Sequence, residues 1–302
     1  MGTPEFAVPS LDALQSGGYE LSAVVTGPDK PRGRGRELSP TAVKTAALRH
    51  GIPVLQPPSL RDQSFTADVQ ALRPDLIVVV AFRILPPEVF SIAPLGAFNV
   101  HASLLPKYRG AAPINWAIIN GETETGVTTF LLEEKVDTGN ILFQAREPIG
   151  PEDDAGALHD RLSLAGAGLV LITARALVLG TARPVPQESS LASPAPKIFK
   201  EDCRLRWEEP AVLIHNRVRG LSPTPAAFTR HRGMSLKIYR TRVLADASTK
   251  DPGVVEAGDQ ALRVNTGDRM IEILEVQLEG KKRLGIGAFL RGYAIRSGEM
   301  LG

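Results

Sequence analysis

The chain has 302 residues, 43% of them apolar and 23% charged, with a net charge of +2. This composition supports a folded core and excludes intrinsic disorder. The single cysteine, Cys203, rules out an internal disulfide, so a reducing, cytoplasmic compartment is expected.

The longest unbroken apolar run, residues 76–82, is seven residues long. That is far short of the roughly 20 needed to cross a bilayer, and no membrane association is expected. The opening Met1-Gly2-Thr3-Pro4-Glu5-Phe6 lacks the basic-then-apolar layout of a leader peptide. The five histidines, at 50, 101, 159, 215 and 231, show no ligand spacing, so no metal is expected.

In chain order, residues 19–26 read as a strand, followed by a turn-rich stretch through Ser39. Pro40 suits the first position of a helix running to about His50, with Gly51 as its stop. A short strand follows at 52–55. Residues 75–82, with three consecutive valines, read as a strand buried on both faces. Further expectations are a strand at 97–101, a helix at 113–120 closed by Gly121, and strands at 125–132 and 141–146. This rhythm predicts an α/β domain with a mostly parallel, twisted, Rossmann-like sheet.

Asp153 or Asp154 caps a long helix running to about Leu179, with Gly180 beyond it. Its stripe of Leu158, Leu162, Ala165, Leu169, Ile172, Ala176 and Leu179 suits packing onto the parent domain. Residues 181–197 are rich in proline and read as a linker. Beyond them a short helix at 210–219 precedes β-type runs at 234–244, 253–257, 261–266 and 270–278, the pattern of a small barrel. The expected domains are therefore 1–180 and 198–302. Charge divides the same way: residues 1–198 hold 17 Lys/Arg against 20 Asp/Glu, and 199–302 hold 18 against 13. A basic second part suggests a polyanionic partner.

Asn99 and His101 lie two apart on a strand, so their side chains share a face at the C-terminal end, where open α/β sheets place their ligands. An amide and an imidazole there suit stabilisation of an oxyanion. A turn-closing asparagine and a histidine satisfied by a backbone carbonyl fit the same residues. Leu104-Leu105-Pro106 suits the apolar wall of a small-molecule pocket, or a loop plugging the core. Asp137-Thr138-Gly139 is the only Asp-Thr-Gly triplet, whereas aspartic-protease chemistry needs two carboxylates. A lone Asp137 suits orienting His101. In residues 28–36, Lys30, Arg32, Arg34 and Arg36 put a cation at every second position among glycines and prolines. Such a loop suits a phosphate ribbon or a solvated, self-repelling loop. No Walker phosphate loop and no GxSxG motif is present, which removes support for ATP chemistry and serine hydrolysis.

Taken together these stretches resemble the methionyl-tRNA formyltransferase family of folate-dependent enzymes. The resemblance rests on Gly2-Thr3-Pro4-Glu5-Phe6, the Pro28-Asp29-Lys30-Pro31 loop, and the run from Asn99 through Ile114. Glu124-Thr125-Gly126-Val127-Thr128, Asp137-Thr138-Gly139, Ala195-Pro196-Lys197-Ile198 and Arg219-Gly220-Leu221-Ser222-Pro223 complete it. It implies a formyltransferase-fold N-terminal domain and an OB-like C-terminal barrel, acting as a monomer. The implied reaction moves a formyl group from 10-formyltetrahydrofolate to the amine of initiator methionyl-tRNA. The alternatives are a sugar-amine or other 10-formyltetrahydrofolate-dependent formyltransferase, or a hydrolase.

By the same resemblance Asn99 and His101 hold the oxyanion, and Asp137 orients His101 and relays the proton. Ser103, Leu104, Leu105 and Pro106 contact the folate, and Lys30, Arg32, Arg34 and Arg36 contact tRNA. Family members carry further residues ahead of Gly-Thr-Pro-Glu-Phe that form a central strand. Here Met1 falls where that strand ends, so the strand is expected to be missing and an upstream extension to be stabilising. Arg83 stands where the family usually has a small or uncharged residue or Lys.

Overall fold

The computed structural model describes residues 1–32 and 37–302. Its elements in chain order are α1 (Val8–Ser16), β1 (Val24–Val25), β2 (Lys30–Arg32), β3 (Glu37–Ser39), α2 (Ala42–Arg49), β4 (Val54–Leu55) and α3 (Gln63–Ala71). There follow β5 (Ile77–Val80), α4 (Pro87–Phe90), β6 (Ala97–His101), β7 (Arg109–Gly110) and α5 (Pro113–Ile119). The first half closes with β8 (Glu124–Leu131), β9 (Ile141–Pro148), α6 (Ala155–Val178) and β10 (Pro194–Ala195). The second contains α7 (Ala211–Leu221), β11 (Ala227–His231), β12 (Met234–Ala247) and β13 (Val255–Ala257). Last come β14 (Leu262–Asn265), β15 (Arg269–Leu278), β16 (Leu284–Gly285) and α8 (Ile286–Gly292). Contacts divide the chain into two units. One holds residues 1–111, 124–148 and 159–195; the other holds 112–123, 149–158 and 196–302.

In the first unit the valine run becomes β5, which pairs in parallel with β6. β1 pairs in parallel with β4. Met1 and Gly2 lie between these two pairs. The Gly2 N–H donates to Val25 O at 3.0 Å, and Val80 N–H donates to Met1 O at 2.9 Å. The Met1 ammonium donates to Val78 O, and desolvation lowers its pKa to about 5. The sheet continues antiparallel through β8 and β9. The β8–β9 pairing has to be antiparallel, since a parallel return needs a crossover helix and only residues 132–140 separate the two strands.

Phe65, Val69, Ile77, Val79 and Val89 form one apolar cluster of this unit. α6 is tied to the sheet by Thr173, whose hydroxyl lies 2.8 Å from that of Thr129, and by Ser163 donating to Phe6 O. Length and composition alone would let α6 cross a membrane. Its buried polar ties and the interleaved buried Leu162, Val170 and Ala174 are those of a core helix. The cap at its start is Asp154, which accepts from Ala157 N–H. The proline-rich stretch does not hang free: Val185 pairs with Ile141, and β10 pairs in parallel with β7.

The second unit is an antiparallel sheet in the order β11-β12-β15-β14-β13, with β16 also on β15. Ile214, Val218 and Leu221 of α7 pack into its core with Leu236, Ile238, Ile271 and Ile273. α5 joins this unit, its Asn115 amide donating to Gly220 O at 2.7 Å. The C-terminal tail bridges both edge strands: Leu301 N–H donates to Gly253 O beside β13, and Gly302 N–H to Arg230 O of β11. The two edges are thereby joined by a short tail rather than left open.

Candidate active site

β6 is the strand the sequence predicts, and its pleat puts Asn99 and His101 on one face. His101 is buried, and its Nε2 lies 2.8 Å from Tyr108 O. A carbonyl only accepts, so Nε2 carries the proton. The second nitrogen, Nδ1, faces Asp137, with Oδ2 at 3.7 Å. Asn99 Oδ1 is buried with no partner among the described residues. A buried amide oxygen left unspent by the fold is suited to a ligand's donor.

Asp137 is buried and has φ +56, a left-handed conformation that a non-glycine residue rarely adopts. Its carboxylate accepts from Gly110 N–H at 2.9 Å. Two residues on, Gly139 has no room for a side chain: a Cβ there would lie 1.7 Å from Leu131 O. The Asp-Thr-Gly turn is therefore a tight reversal against β8, with the carboxylate turned toward His101.

The Ser103–Pro106 segment is held from beneath by β8 and β9. Thr128 Oγ1 donates to Ser103 O at 2.6 Å and accepts from Leu105 N–H at 3.1 Å. Gln144 Nε2 donates to both Thr128 Oγ1 and Leu105 O. Ser103 Oγ donates to Lys107 O, so this hydroxyl is engaged within the loop. Leu104 and Pro106 stay half-buried, while Leu105 is core.

Of the basic loop, Lys30 is exposed and the backbone of Arg32 pairs with Glu37. Arg34 and Arg36 lie outside the described residues. The root of the loop is anchored by Asp29, which accepts from Lys44 and Gln56 at 2.6 and 2.7 Å. The Lys44 contact, then that of Gln56, lowers the pKa of Asp29. Arg83 donates to Pro57 O and Pro58 O and lies over the Phe82 ring, which ties residues 57–58 to the end of β5.

A formyl transferase family model matches residues 1–173, and a model of the formyl transferase C-terminal domain matches residues 197–294. The chain belongs to the formyl transferase family. A methionyl-tRNA formyltransferase of Syntrophus aciditrophicus is 49% identical over 100% of this chain and 97% of its own length. One from Pelobacter propionicus is 50% identical over 100% and 95%. Among solved structures, the sugar 3N-formyl transferase WlaRD superposes with a TM-score of 0.67 at 20% identity, covering 93% of this chain and 97% of that one. HypX from Aquifex aeolicus, solved with tetrahydrofolic acid, gives 0.61 at 19%, covering 83% and 44%. At such identities the likeness is one of fold.

Three features of this formyl transferase site were not read from the sequence. They are Tyr108 O as the partner of His101, Thr128 and Gln144 beneath the 103–106 loop, and Gln187. Gln187 Nε2 donates to Asp137 O and Gly139 O at 3.0 and 2.8 Å. The available signal in β8 was its threonines, Thr125, Thr128 and Thr129, all buried among apolar neighbours. Nothing local marks Gln187.

Proposed function

We propose that this chain transfers the formyl group of 10-formyltetrahydrofolate to the α-amino group of methionyl initiator tRNA, acting as a monomer in the cytoplasm. The observation that carries the chemistry is the set of Asn99, His101 and Asp137: His101 and Asp137 are buried with Nδ1 3.7 Å from Oδ2, and Oδ1 of Asn99 has no partner among the described residues. The acceptor is supported by the relatives matched over 97% and 95% of their length, which are methionyl-tRNA formyltransferases.

The residues present fit the donor. The unpartnered Oδ1 of Asn99 and the half-buried Leu104 and Pro106 offer polar and apolar contacts. When bound, the donor supplies an electrophilic formyl carbon. Asn99 gives an N–H to the formyl oxygen, and its Oδ1 accepts from the attacking amine. His101, fixed through Nε2, presents Nδ1 and as the imidazolium donates Nδ1–H to the oxygen as negative charge builds there. Asp137 balances the imidazolium, takes up the proton released by the attacking amine and passes it to the donor nitrogen, whose bond to the formyl carbon breaks as the new one forms. Esterification makes the methionyl amine less basic than a free amino acid, so direct attack needs no covalent enzyme intermediate. Ser103 to Pro106 line the donor's site, and Lys30, Arg32, Arg34 and Arg36 contact the tRNA acceptor end.

The test offers the purified chain 10-formyltetrahydrofolate with methionyl initiator tRNA, an amino-sugar nucleotide, or water alone, and follows the formylated product by mass spectrometry. Formylmethionine from the tRNA arm alone is the expected result. Turnover only with the amino sugar or water would overturn the acceptor.

A further inference from the structure

Gln187 commits its amide to two segments of one site, the 137–139 turn and β7. Both N–H groups go to carbonyls, those of Asp137 and Gly139. Its Oε1 accepts from Nε and Nη2 of Arg109 at 3.1 and 2.7 Å. The orientation of the amide is fixed by chemistry, because carbonyls cannot donate and a guanidinium cannot accept. Arg109 is the first residue of β7, and its neighbour Gly110 gives the N–H that holds the Asp137 carboxylate. The same stretch returns to β7 through Ser193, whose O and Oγ accept from Arg109 N–H and Tyr108 N–H. Tyr108 is also the residue whose carbonyl fixes His101.

We propose that Gln187 is a positioning residue that holds Asp137 against His101. The inference rests on the assigned role of Asp137 and extends it to a residue in the proline-rich stretch. Asp137 sits in a left-handed conformation that persists only when its surroundings impose it. Gln187 imposes it from the carbonyl side and Gly110 from the carboxylate side. Removing Gln187 frees the turn to relax, and the carboxylate leaves both the Gly110 N–H and the imidazole. Neither substrate need touch Gln187, so the loss falls on kcat and not on KM.

The experiment compares Gln187→Ala, Gln187→Glu, Asp137→Asn and the double variant Gln187→Ala/Asp137→Asn in the full chain. Gln187→Ala is expected to lower kcat about tenfold with KM for donor and tRNA within about twofold. Gln187→Glu keeps the Arg109 acceptor but faces two carbonyls with another acceptor, and is expected to lose at least as much. In the Asp137→Asn background, Gln187→Ala is expected to cost nothing further, since its action passes through that carboxylate. A second readout does not depend on catalysis. Hydrogen exchange of the Gly110 amide, followed by NMR, is expected to quicken about tenfold in Gln187→Ala. Unchanged kcat and unchanged Gly110 exchange, or losses that multiply in the double variant, would overturn the proposal. An inactive wild-type chain whose Gly110 amide still responds to Gln187→Ala would reject the activity while keeping the positioning.

Discussion

His101 illustrates how a backbone atom can decide the chemistry of a side chain. Tyr108 O holds the Nε2 proton, so the nitrogen facing Asp137 is Nδ1. His101→Ala is therefore expected to lower kcat by about a hundred- to a thousandfold, the usual cost of one oxyanion donor. The affinity for tRNA, measured by filter binding, should stay within about twofold, because a buried imidazole offers nothing to phosphate. A variant that keeps near-wild-type kcat would reject the role of His101. Residue types and spacing singled out Asn99, His101 and Asp137 but left a purely structural reading open, and their catalytic roles came from the family resemblance; the fold adds that His101 Nδ1 and Asp137 Oδ2 lie 3.7 Å apart. The partner of His101 was not legible, since every residue carries a carbonyl and only the positive φ of Tyr108 aims this one. Gln187 was hidden for another reason: it lies 50 positions from Asp137, and only tertiary folding joins them.

At the scale of elements, β6 emerges with the bounds its sequence predicts, and β8 within one residue of them. Each follows a turn glycine at positive φ, Gly96 before β6 and Gly121 before β8, and each buries most of its residues. The strand read at 19–26 shrinks to Val24–Val25, the two residues that pair with β4. α3 escaped notice because only Phe65 and Val69 of its nine residues are buried, too few to print a helical period. The helix read from Pro40 starts at Ala42, because Thr41 is its cap and accepts from Lys44 N–H. β8 gives this scale its prediction, since Thr128 serves three partners in the loop and β9. Thr128→Val keeps the shape and strands the Leu105 N–H and the Ser103 carbonyl. Each buried unpaired group costs about 1–3 kcal/mol, so a loss of about 2 kcal/mol in urea unfolding is expected after partial relaxation. If residues 103–106 hold the donor, its KM should rise more than kcat falls. An unchanged KM for the donor would detach that loop from folate binding.

Across the whole molecule the charge division was plain in the sequence, but what the charges do inside the fold was not. Many cations of the basic part are spent on internal pairs such as Arg217–Glu209, Arg283–Glu275 and Arg232–Glu299. The last of these closes the second unit, because Glu299 belongs to the tail that joins β13 to β11. Its carboxylate accepts from Arg232, His231 Nε2 and Arg296 N–H, and the Arg232 contact leads in lowering its pKa from 4.5 to about 2. The native state thus holds this carboxylate ionised where the unfolded chain takes up a proton. Its contribution is fully present above about pH 4.5 and is lost as the pH falls toward 2. Both tryptophans, Trp116 and Trp207, lie in the second unit, so their fluorescence reports its unfolding alone. Urea midpoints read this way are expected to be lower for Glu299→Gln than for wild type at pH 6. The gap should narrow steadily between pH 4.5 and the lowest pH at which the fold persists. A gap that stays constant with pH would mean that Glu299 acts through packing and its neutral hydrogen bonds, with no net effect of its charge.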